Sequence, residues 1–296
     1  MIPDPVIIKA DGRDIAVEDA GPGSGFPIIM MNGAGSRHLS PSAVREARDL
    51  GFRPIGYDRP GCGGSASRPG RVIADCADDL RAIMAELSIS RAAAWGSSGG
   101  GPYALAAAAT MPDAIAAVCI FASVGPYGKP GLDFAQGLGT GTRERIRKIV
   151  NEPERARAEF RAQSAITLAE RGSPEWWLRK WGDRAGQDAA HSREHAEYLA
   201  ACERDALRAD DQGSFDDDGA WEDARAFYLP WRFDLADIRA PVSLWHGRKD
   251  FLPVAHARWL ADRIPHVTTH LPAGDDHTNI EQNNRAAAYA WLKDHL

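Results

Sequence analysis

Residues 95–101 read Trp-Gly-Ser-Ser-Gly-Gly-Gly and place the motif G-x-S-x-G between a predicted strand, 92–95, and a predicted Ala-rich helix, 99–110. A serine in this context stands on a sharp strand-to-helix turn with strained backbone angles, and glycines two residues to either side remove side chains that would collide. The following helix directs the partial positive charge of its amino end toward a developing oxyanion. The motif therefore predicts Ser98 as a nucleophile.

Short apolar segments alternate with segments of helical period on both sides of this motif. Such alternation predicts an α/β protein with a mostly parallel sheet and helices on both faces. The predicted strands are residues 6–9, 15–17, 28–31, 54–57, 92–95, 118–122, 242–245 and 268–271. The predicted helices between and after them are residues 41–50, 72–87, 99–110, 255–264 and 281–296.

The alternation stops between about Pro126 and Asp234, where the sequence has no convincing apolar strand. Charged helical stretches take its place, at residues 143–149, 154–167 and 195–206. Because strands and helices alternate again afterwards, we expect a helical cap inserted into one domain rather than a tandem domain. The predicted division is a first core segment at 1–125, a cap at 126–235 and a second core segment at 236–296.

A serine hydroxyl needs a general base within hydrogen-bond reach, and that base needs an orienting group. His277 lies in a loop between a predicted strand, 268–271, and the last helix, where a base can reach over the carboxyl edge of the sheet. Asp250 ends the polar loop after the neighbouring strand, 242–245, so its carboxylate can meet His277. The predicted catalytic residues are Ser98, Asp250 and His277, in that chain order.

Other side chains compete for each of these roles. His38 and His246 also follow predicted strands, but single histidines in such places serve more often in polar packing or substrate contact. Asp275 and Asp276 are carboxylates next to the candidate base, too close in sequence to reach back to its ring, and we expect them to shape the loop. Ser97 is the weaker candidate nucleophile because a tryptophan two residues before it would crowd the turn.

A tetrahedral intermediate needs two backbone N–H donors. One is expected from Gly99, the residue after the candidate nucleophile, and the other from the segment 32–35, Asn-Gly-Ala-Gly, directly after the third predicted strand. Glycines on both sides of Ala34 let the main chain turn inward, so Ala34 is the expected second donor. An ordinary glycine-rich turn is the alternative interpretation of this segment.

Composition excludes several other classes of protein. The chain has 296 residues and a formal net charge of −6, without a long Lys/Arg run, so nucleic acid and anionic membranes are not indicated as partners. Neither a leader-like segment nor a membrane-spanning apolar run occurs, and we expect a cytoplasmic protein. The four cysteines form no C-x-x-C pair, which argues against a zinc cluster or a redox dithiol, and no metal is expected.

Aromatic residues are concentrated in the predicted cap. They include Trp176, Trp177, Trp181, Trp221, Phe227, Tyr228, Trp231 and Phe233. We expect most of them to hold the cap helices together, while Trp177, Trp181 and Trp231, together with Asn32 of the core, are candidates to contact the substrate. Their number favours a hydrophobic acyl or ring-bearing substrate. The acidic run 216–218 is expected to be a solvated loop.

Several stretches together resemble the α/β-hydrolase superfamily, with its esterase-, lipase- and haloperoxidase-like members. They are MNGAGS at 31–36, GYDRPGCGGS at 56–65, WGSSGGGPYALA at 95–106, WHGRKDFLP at 245–253 and GDDH at 274–277. The resemblance implies an α/β-hydrolase fold with an eight-stranded, mostly parallel sheet, a cap over the active site, no cofactor and an acyl-enzyme intermediate. The chain departs from many relatives in having Asn32 where they have histidine, and the segment 58–61 is similar to a structural loop of the family.

The sequence thus predicts a serine hydrolase that cleaves a small, largely apolar carboxylic ester or lactone through an acyl-enzyme. The same residues serve an amidase or aminopeptidase, a thioesterase or a carbon–carbon bond hydrolase, since the triad defines the nucleophile and not the leaving group. A non-hydrolytic receptor, or a cyclase or lyase that uses the same pocket, belongs to a different class and is separated from these by turnover. The oligomeric state does not follow from the sequence.

Overall fold

The computed structural model describes residues 5–21, 23, 25–181, 189–210, 212 and 214–296. Its strands are β1 (Val6–Ala10), β2 (Arg13–Asp19), β3 (Phe26–Met31), β4 (Phe52–Tyr57), β5 (Ala92–Ser97), β6 (Ile115–Phe121), β7 (Val242–Trp245) and β8 (Val267–His270). The helices are α1 (Pro41–Asp49), α2 (Cys76–Glu86), α3 (Gly101–Thr110), α4 (Thr140–Asn151), α5 (Pro153–Arg171), α6 (Pro174–Trp181), α7 (Ala189–Ala206), α8 (Asp218–Ala226), α9 (Ala255–Ala261) and α10 (Ile280–Lys293).

The eight strands form one sheet in the order β1-β2-β4-β3-β5-β6-β7-β8. Strand β2 pairs antiparallel with β1 and β4, and every other pairing in the sheet is parallel. The prediction of an eight-stranded, mostly parallel sheet is confirmed. Because β3, β5, β6, β7 and β8 run in one direction, the loops that follow them meet at one edge of the sheet.

Buried apolar residues cover both faces of the central strands. All seven residues of β6 are buried, and β5 consists mainly of small residues that let helices approach closely. One face packs against α2, α3 and α9 through residues such as Leu80, Leu105 and Leu260. The other face packs against α1 and α10 through residues such as Ala43 and Tyr289. The helices therefore fix the sheet from both sides, as the sequence pattern predicted.

Helices α4 to α8 follow β6 and precede β7, and the described residues of this part of the chain contain no strand. The described residues of this part of the chain are thus helical, as predicted for the insertion. That the insertion serves as a cap stays a prediction, and the segment is called the cap below. One expectation about it is wrong. Asp217, in the acidic run expected to be solvated, is fully buried and pairs with Arg157 at 2.7 Å and Arg161 at 2.8 Å.

Candidate active site

Ser98 lies on a sharp turn between β5 and α3. Its φ angle is +52°, in the left-handed region that a residue with a side chain occupies only at a cost in strain. A Cβ atom added to Gly96 would lie 2.6 Å from the carbonyl oxygen of Gly100, and one added to Gly100 would lie 1.8 Å from that of Met31. The turn therefore needs both glycines, and it presents the Ser98 hydroxyl at the carboxyl edge of the sheet.

The structure brings the three predicted catalytic side chains into one hydrogen-bonded chain. Ser98 Oγ lies 2.9 Å from His277 Nε2, and His277 Nδ1 lies 3.0 Å from each carboxylate oxygen of Asp250. The Asp250 side chain is fully buried, whereas that of His277 is 19% exposed. A buried carboxylate thus orients a partly accessible imidazole toward a serine hydroxyl, which is the arrangement that a nucleophilic serine needs.

Backbone contacts between the loops after β7 and β8 fix the Asp250 and His277 pair. Arg248 N donates to Pro272 O at 3.0 Å, and Lys249 N donates to Asp275 O at 3.0 Å. Leu252 N donates to Asp250 Oδ1 at 2.7 Å, which fixes the carboxylate within its own loop. Neighbouring parallel strands therefore place the two side chains opposite each other, although 27 positions separate them in sequence.

The competing side chains have other partners. His246 is buried, and its Nε2 donates to Leu252 O at 2.8 Å, so it supports the loop that carries Asp250. Burial lowers the pKa of His246 below its ordinary value, which favours the neutral ring near pH 7. Asp275 accepts hydrogen bonds from Asn283 and Asn284 at 2.8 and 2.7 Å. These contacts fit loop-shaping residues.

The segment 32–36, called the oxyanion loop below, lies against Ser98. A Cβ atom added to Gly33 would be 3.2 Å from Ser98 Cβ and 3.7 Å from Gly99 N. Within the loop, Asn32 Oδ1 accepts a hydrogen bond from Gly35 N at 2.9 Å, and Asn32 Nδ2 donates to Ser36 O at 2.7 Å. Asparagine thus closes this turn in place of the histidine of many relatives. Of the two predicted donors, Ala34 lines the same cavity as Ser98, and Gly99 directly follows Ser98.

A cavity of about 470 Å³ opens next to Ser98 and extends beneath the cap. Its lining combines apolar side chains with a polar wall, including Met30, Leu39, Phe121, Trp177, Tyr198, Leu199, Cys202, Glu203, Ile280, Glu281 and Arg285. The size is within the range of small-molecule sites. Helix α7 supplies four of these side chains, Tyr198, Leu199, Cys202 and Glu203. Their spacing places them on one face of the helix, and this spacing is the feature of the sequence that could have indicated a cavity-lining helix.

The four predicted substrate contacts have different outcomes. Asn32 and Trp177 line the cavity. Trp231 does not. It is 4% exposed, stacks on Phe233 with ring centroids 5.6 Å apart, and belongs to the hydrophobic core. The expectation for Trp231 is corrected because this residue follows α8, where the chain returns to the core. The side chain of Trp181 lies outside the described residues.

Sequence reasoning missed Glu281, which lies in the first turn of α10. Its carboxylate accepts a hydrogen bond from Trp95 Nε1 at 3.2 Å and a second from the Ser97 hydroxyl. These bonds connect the strand before Ser98 to the helix that follows His277. A pair 184 positions apart has no local signal in the sequence. Ser97, the weaker candidate nucleophile, thus serves as a donor to Glu281.

A buried charged cluster attaches cap helix α7 to the core beside the cavity. His38 Nε2 lies 2.9 Å from Asp205 on α7, and His38 Nδ1 lies 3.6 Å from Glu18 on β2. Arg37 bridges Asp205 and Asp58 at 2.6 and 2.8 Å. Burial alone would lower the pKa of His38, but the two carboxylates outweigh it and raise the pKa to about 9. His38 is therefore a cation that joins the cap to the core at neutral pH.

This cluster predicts that stability falls as the solution becomes alkaline. The folded pKa of His38 exceeds its unfolded value of 6.5, so its contribution is complete below pH 6.5 and is lost as the pH rises through about 9. We expect the free energy of unfolding to fall by about 3 kcal/mol more in the wild type than in His38→Gln between pH 6 and 9.5. Urea titrations from pH 6 to 9.5 measure the difference, and parallel pH profiles for the two proteins would contradict it.

Comparison with known proteins identifies the family. Residues 27–284 match the family model described as alpha/beta hydrolase fold. The chain belongs to the alpha/beta hydrolase fold family. No curated protein sequence matches this alpha/beta hydrolase. Among its described residues, no helix has the length and apolarity that crossing a membrane requires.

Solved structures of other alpha/beta hydrolases resemble it along nearly the whole chain. An enol-lactonase from Burkholderia xenovorans LB400 is 20% identical with a TM-score of 0.62, covering 98% of this chain and 99% of the other. An esterase from Exiguobacterium antarcticum is 17% identical with a TM-score of 0.64, covering 98% of each chain. The esterase RhEst1 from Rhodococcus sp. ECU1013 is 21% identical with a TM-score of 0.61, covering 97% and 96%. At such identities the similarity concerns the fold.

Proposed function

We propose that this alpha/beta hydrolase cleaves a small, largely apolar carboxylic ester or lactone, with Ser98 as nucleophile, His277 as general base and Asp250 as its orienting acid. The observation that carries the proposal is the unbroken hydrogen-bond chain from Ser98 Oγ through the His277 ring to Asp250. Backbone strain at Ser98 is costly, and a partly exposed imidazole oriented by a buried carboxylate can accept the serine proton. Together these features favour a serine whose hydroxyl is activated as a nucleophile.

The proposed reaction has two acyl-transfer steps. His277 Nε2 takes the Ser98 proton as Oγ attacks the carbonyl carbon, and the N–H groups of Ala34 and Gly99 stabilise the charge on the carbonyl oxygen. The protonated His277 then returns the proton to the leaving alcohol, and an ester with Ser98 remains. In the second step, water attacks the carbonyl carbon of this ester while His277 takes its proton. His277 then returns the proton to Ser98 Oγ, and the carboxylic acid is released. Asp250 stabilises the imidazolium ring in both steps.

The cavity supports an uncharged acyl group of modest size. Apolar side chains such as Met30, Leu39 and Phe121 line it. Its polar wall carries charges of both signs, with Arg285 paired to Glu46 at 2.7 Å and Arg171 lying 3.6 Å from Glu203. A pocket whose ions already have partners favours a substrate without a net charge. Similar folds include an enol-lactonase and two esterases, which is compatible with ester or lactone cleavage.

A matched substrate panel tests the proposal. The panel contains 4-nitrophenyl esters from acetate to dodecanoate, a simple γ-lactone, the butyryl 4-nitroanilide and a butyryl thioester. We expect turnover of the short esters or the lactone, with kcat/KM at least about 100-fold above that of the anilide, because amide cleavage needs a better-placed proton donor for a poorer leaving group. Preference for the thioester or anilide would replace the substrate class. Tight ligand binding with no turnover of any member would favour a receptor.

A further inference from the structure

Arg59, in the predicted structural loop after β4, contacts the oxyanion loop. It is 2% exposed. Its Nη1 donates to Asn32 O at 2.8 Å, and its Nη2 donates to Gly33 O at 3.0 Å. The planar guanidinium therefore binds two successive carbonyl groups at the end of β3, in a geometry that only arginine offers. A residue expected to build the fold thus touches the peptide that precedes Ala34.

The bond to Gly33 O determines the direction of the Ala34 N–H. None of the described peptide bonds is cis, so within each planar peptide unit the carbonyl oxygen and the following N–H point in opposite directions. With Gly33 O directed at Arg59, the Ala34 N–H points away from Arg59. Both Gly33 and Ala34 line the cavity beside Ser98. Rotation of this peptide would break the bond to Arg59 and remove the N–H from the site.

A carboxylate of the cap holds the guanidinium in place. Asp223, on α8, is 6% exposed and accepts from Arg59 Nε at 2.7 Å and Nη2 at 2.5 Å. It also accepts from the Tyr103 hydroxyl at 2.8 Å and from Arg71 Nη2 at 2.7 Å. A buried carboxylate with this many donors has one stable orientation. The cap therefore reaches the oxyanion loop through Asp223 and Arg59.

We propose that Asp223 is a positioning residue for the oxyanion hole, and that it acts through Arg59 by fixing the Gly33–Ala34 peptide. The inference rests on the proposed serine hydrolase function. It assigns the cap a second role besides covering the cavity, because α8 must be docked on the core for the Ala34 N–H to be held in place. Asp223 touches no substrate, so its effect is on the transition state and not on ground-state binding.

The variant Asp223→Asn tests this coupling. We expect kcat to fall about 10- to 100-fold with KM nearly unchanged, since loss of one oxyanion donor costs about 10²- to 10³-fold and the variant misplaces the donor without deleting it. A trifluoromethyl ketone forms a tetrahedral adduct with an oxyanion, and its affinity is expected to fall by the same factor as kcat/KM. The affinity of the matching methyl ketone, which binds without that charge, is expected to stay constant.

Asp217→Asn is the matched control. Asp217 is an equally buried carboxylate six positions earlier, and it pairs with Arg157 and Arg161 inside the cap. We expect this variant to lose thermal stability while keeping wild-type kcat and trifluoromethyl ketone affinity. If both variants lose kcat and adduct affinity equally, or if Asp223→Asn behaves like wild type, the positioning role is refuted.

Arg59→Lys provides a second variant in case Asp223→Asn does not fold. Lysine keeps a positive charge beside Asp223 but cannot bond two carbonyls and the carboxylate in a fixed plane. The same loss of kcat and adduct affinity is expected, and unchanged values in a folded Arg59→Lys protein would refute the proposal. Failure of the trifluoromethyl ketone to inhibit even the wild type would instead refute the serine mechanism itself, so the two failures are distinguishable.

Discussion

Replacement of Ser98 by alanine is expected to lower kcat/KM by about 10⁴- to 10⁶-fold while the protein stays folded. The hydroxyl is the only protein group that the proposed mechanism bonds to the acyl carbon. Without it, His277 can activate only water for a direct attack on the substrate. The side chain contributes little to packing, since its oxygen faces a partly exposed imidazole. Steady-state kinetics on the best ester of the panel, with thermal unfolding in parallel, measure both quantities.

Intact mass after exposure to a small fluorophosphonate identifies the reacting atom. We expect one adduct on the wild type, mapped to the peptide that contains Ser98, and none on Ser98→Ala. Ser97→Ala is the matched control, because Ser97 lies next in sequence but donates its hydroxyl to Glu281. That variant is expected to keep the adduct. Near-normal turnover by Ser98→Ala, or an adduct on Ser97, would contradict the proposed nucleophile.

Local sequence was sufficient for the parts of this fold that depend on short-range patterns. Residues 92–110 predicted a strand, a turn and a helix, and the structure has them, with the strand extended to Ser97 and the helix start moved to Gly101. The placement of Asp250 and His277 needed one further rule, that neighbouring parallel strands bring their following loops together. The rule predicted that the two side chains can meet, and in the structure His277 Nδ1 lies 3.0 Å from Asp250 Oδ1.

Contacts between distant polar residues were not predictable in the same way. Arg59 and Asp223 are 164 positions apart, and each resembles an ordinary charged residue until the fold buries both. The expectation for Trp231 failed for a related reason. The aromatic content of a segment indicates that its side chains will be buried. Whether they pack against the cap or against the core depends on where the chain leaves the cap, which the composition does not show. Periodicity predicts which face of an element is buried, and not its partner.

Asp250→Asn is expected to lower kcat by about 10⁴-fold with little change in stability, the loss typical when the orienting acid of a Ser-His-Asp triad becomes an amide. Leu252 N donates to Asp250 Oδ1, so the amide oxygen of the variant would remain there. Its NH₂ group would then take the Oδ2 position, 3.0 Å from His277 Nδ1. An N–H facing Nδ1 favours the tautomer with hydrogen on Nε2, and that tautomer cannot accept the Ser98 proton.

The isosteric change Asp275→Asn separates this tautomer effect from a general disturbance of the loops. Asp275 is a buried carboxylate two residues before His277, but it accepts its hydrogen bonds from Asn283 and Asn284. We expect a loss of less than about 10-fold in kcat, since the His277 tautomer stays unchanged. Equal losses in the two variants would mean that loop geometry and not the His277 tautomer governs the rate. A loss confined to Asp275→Asn would make Asp275 the orienting acid, because only the orienting carboxylate determines which ring nitrogen is free to act as the base.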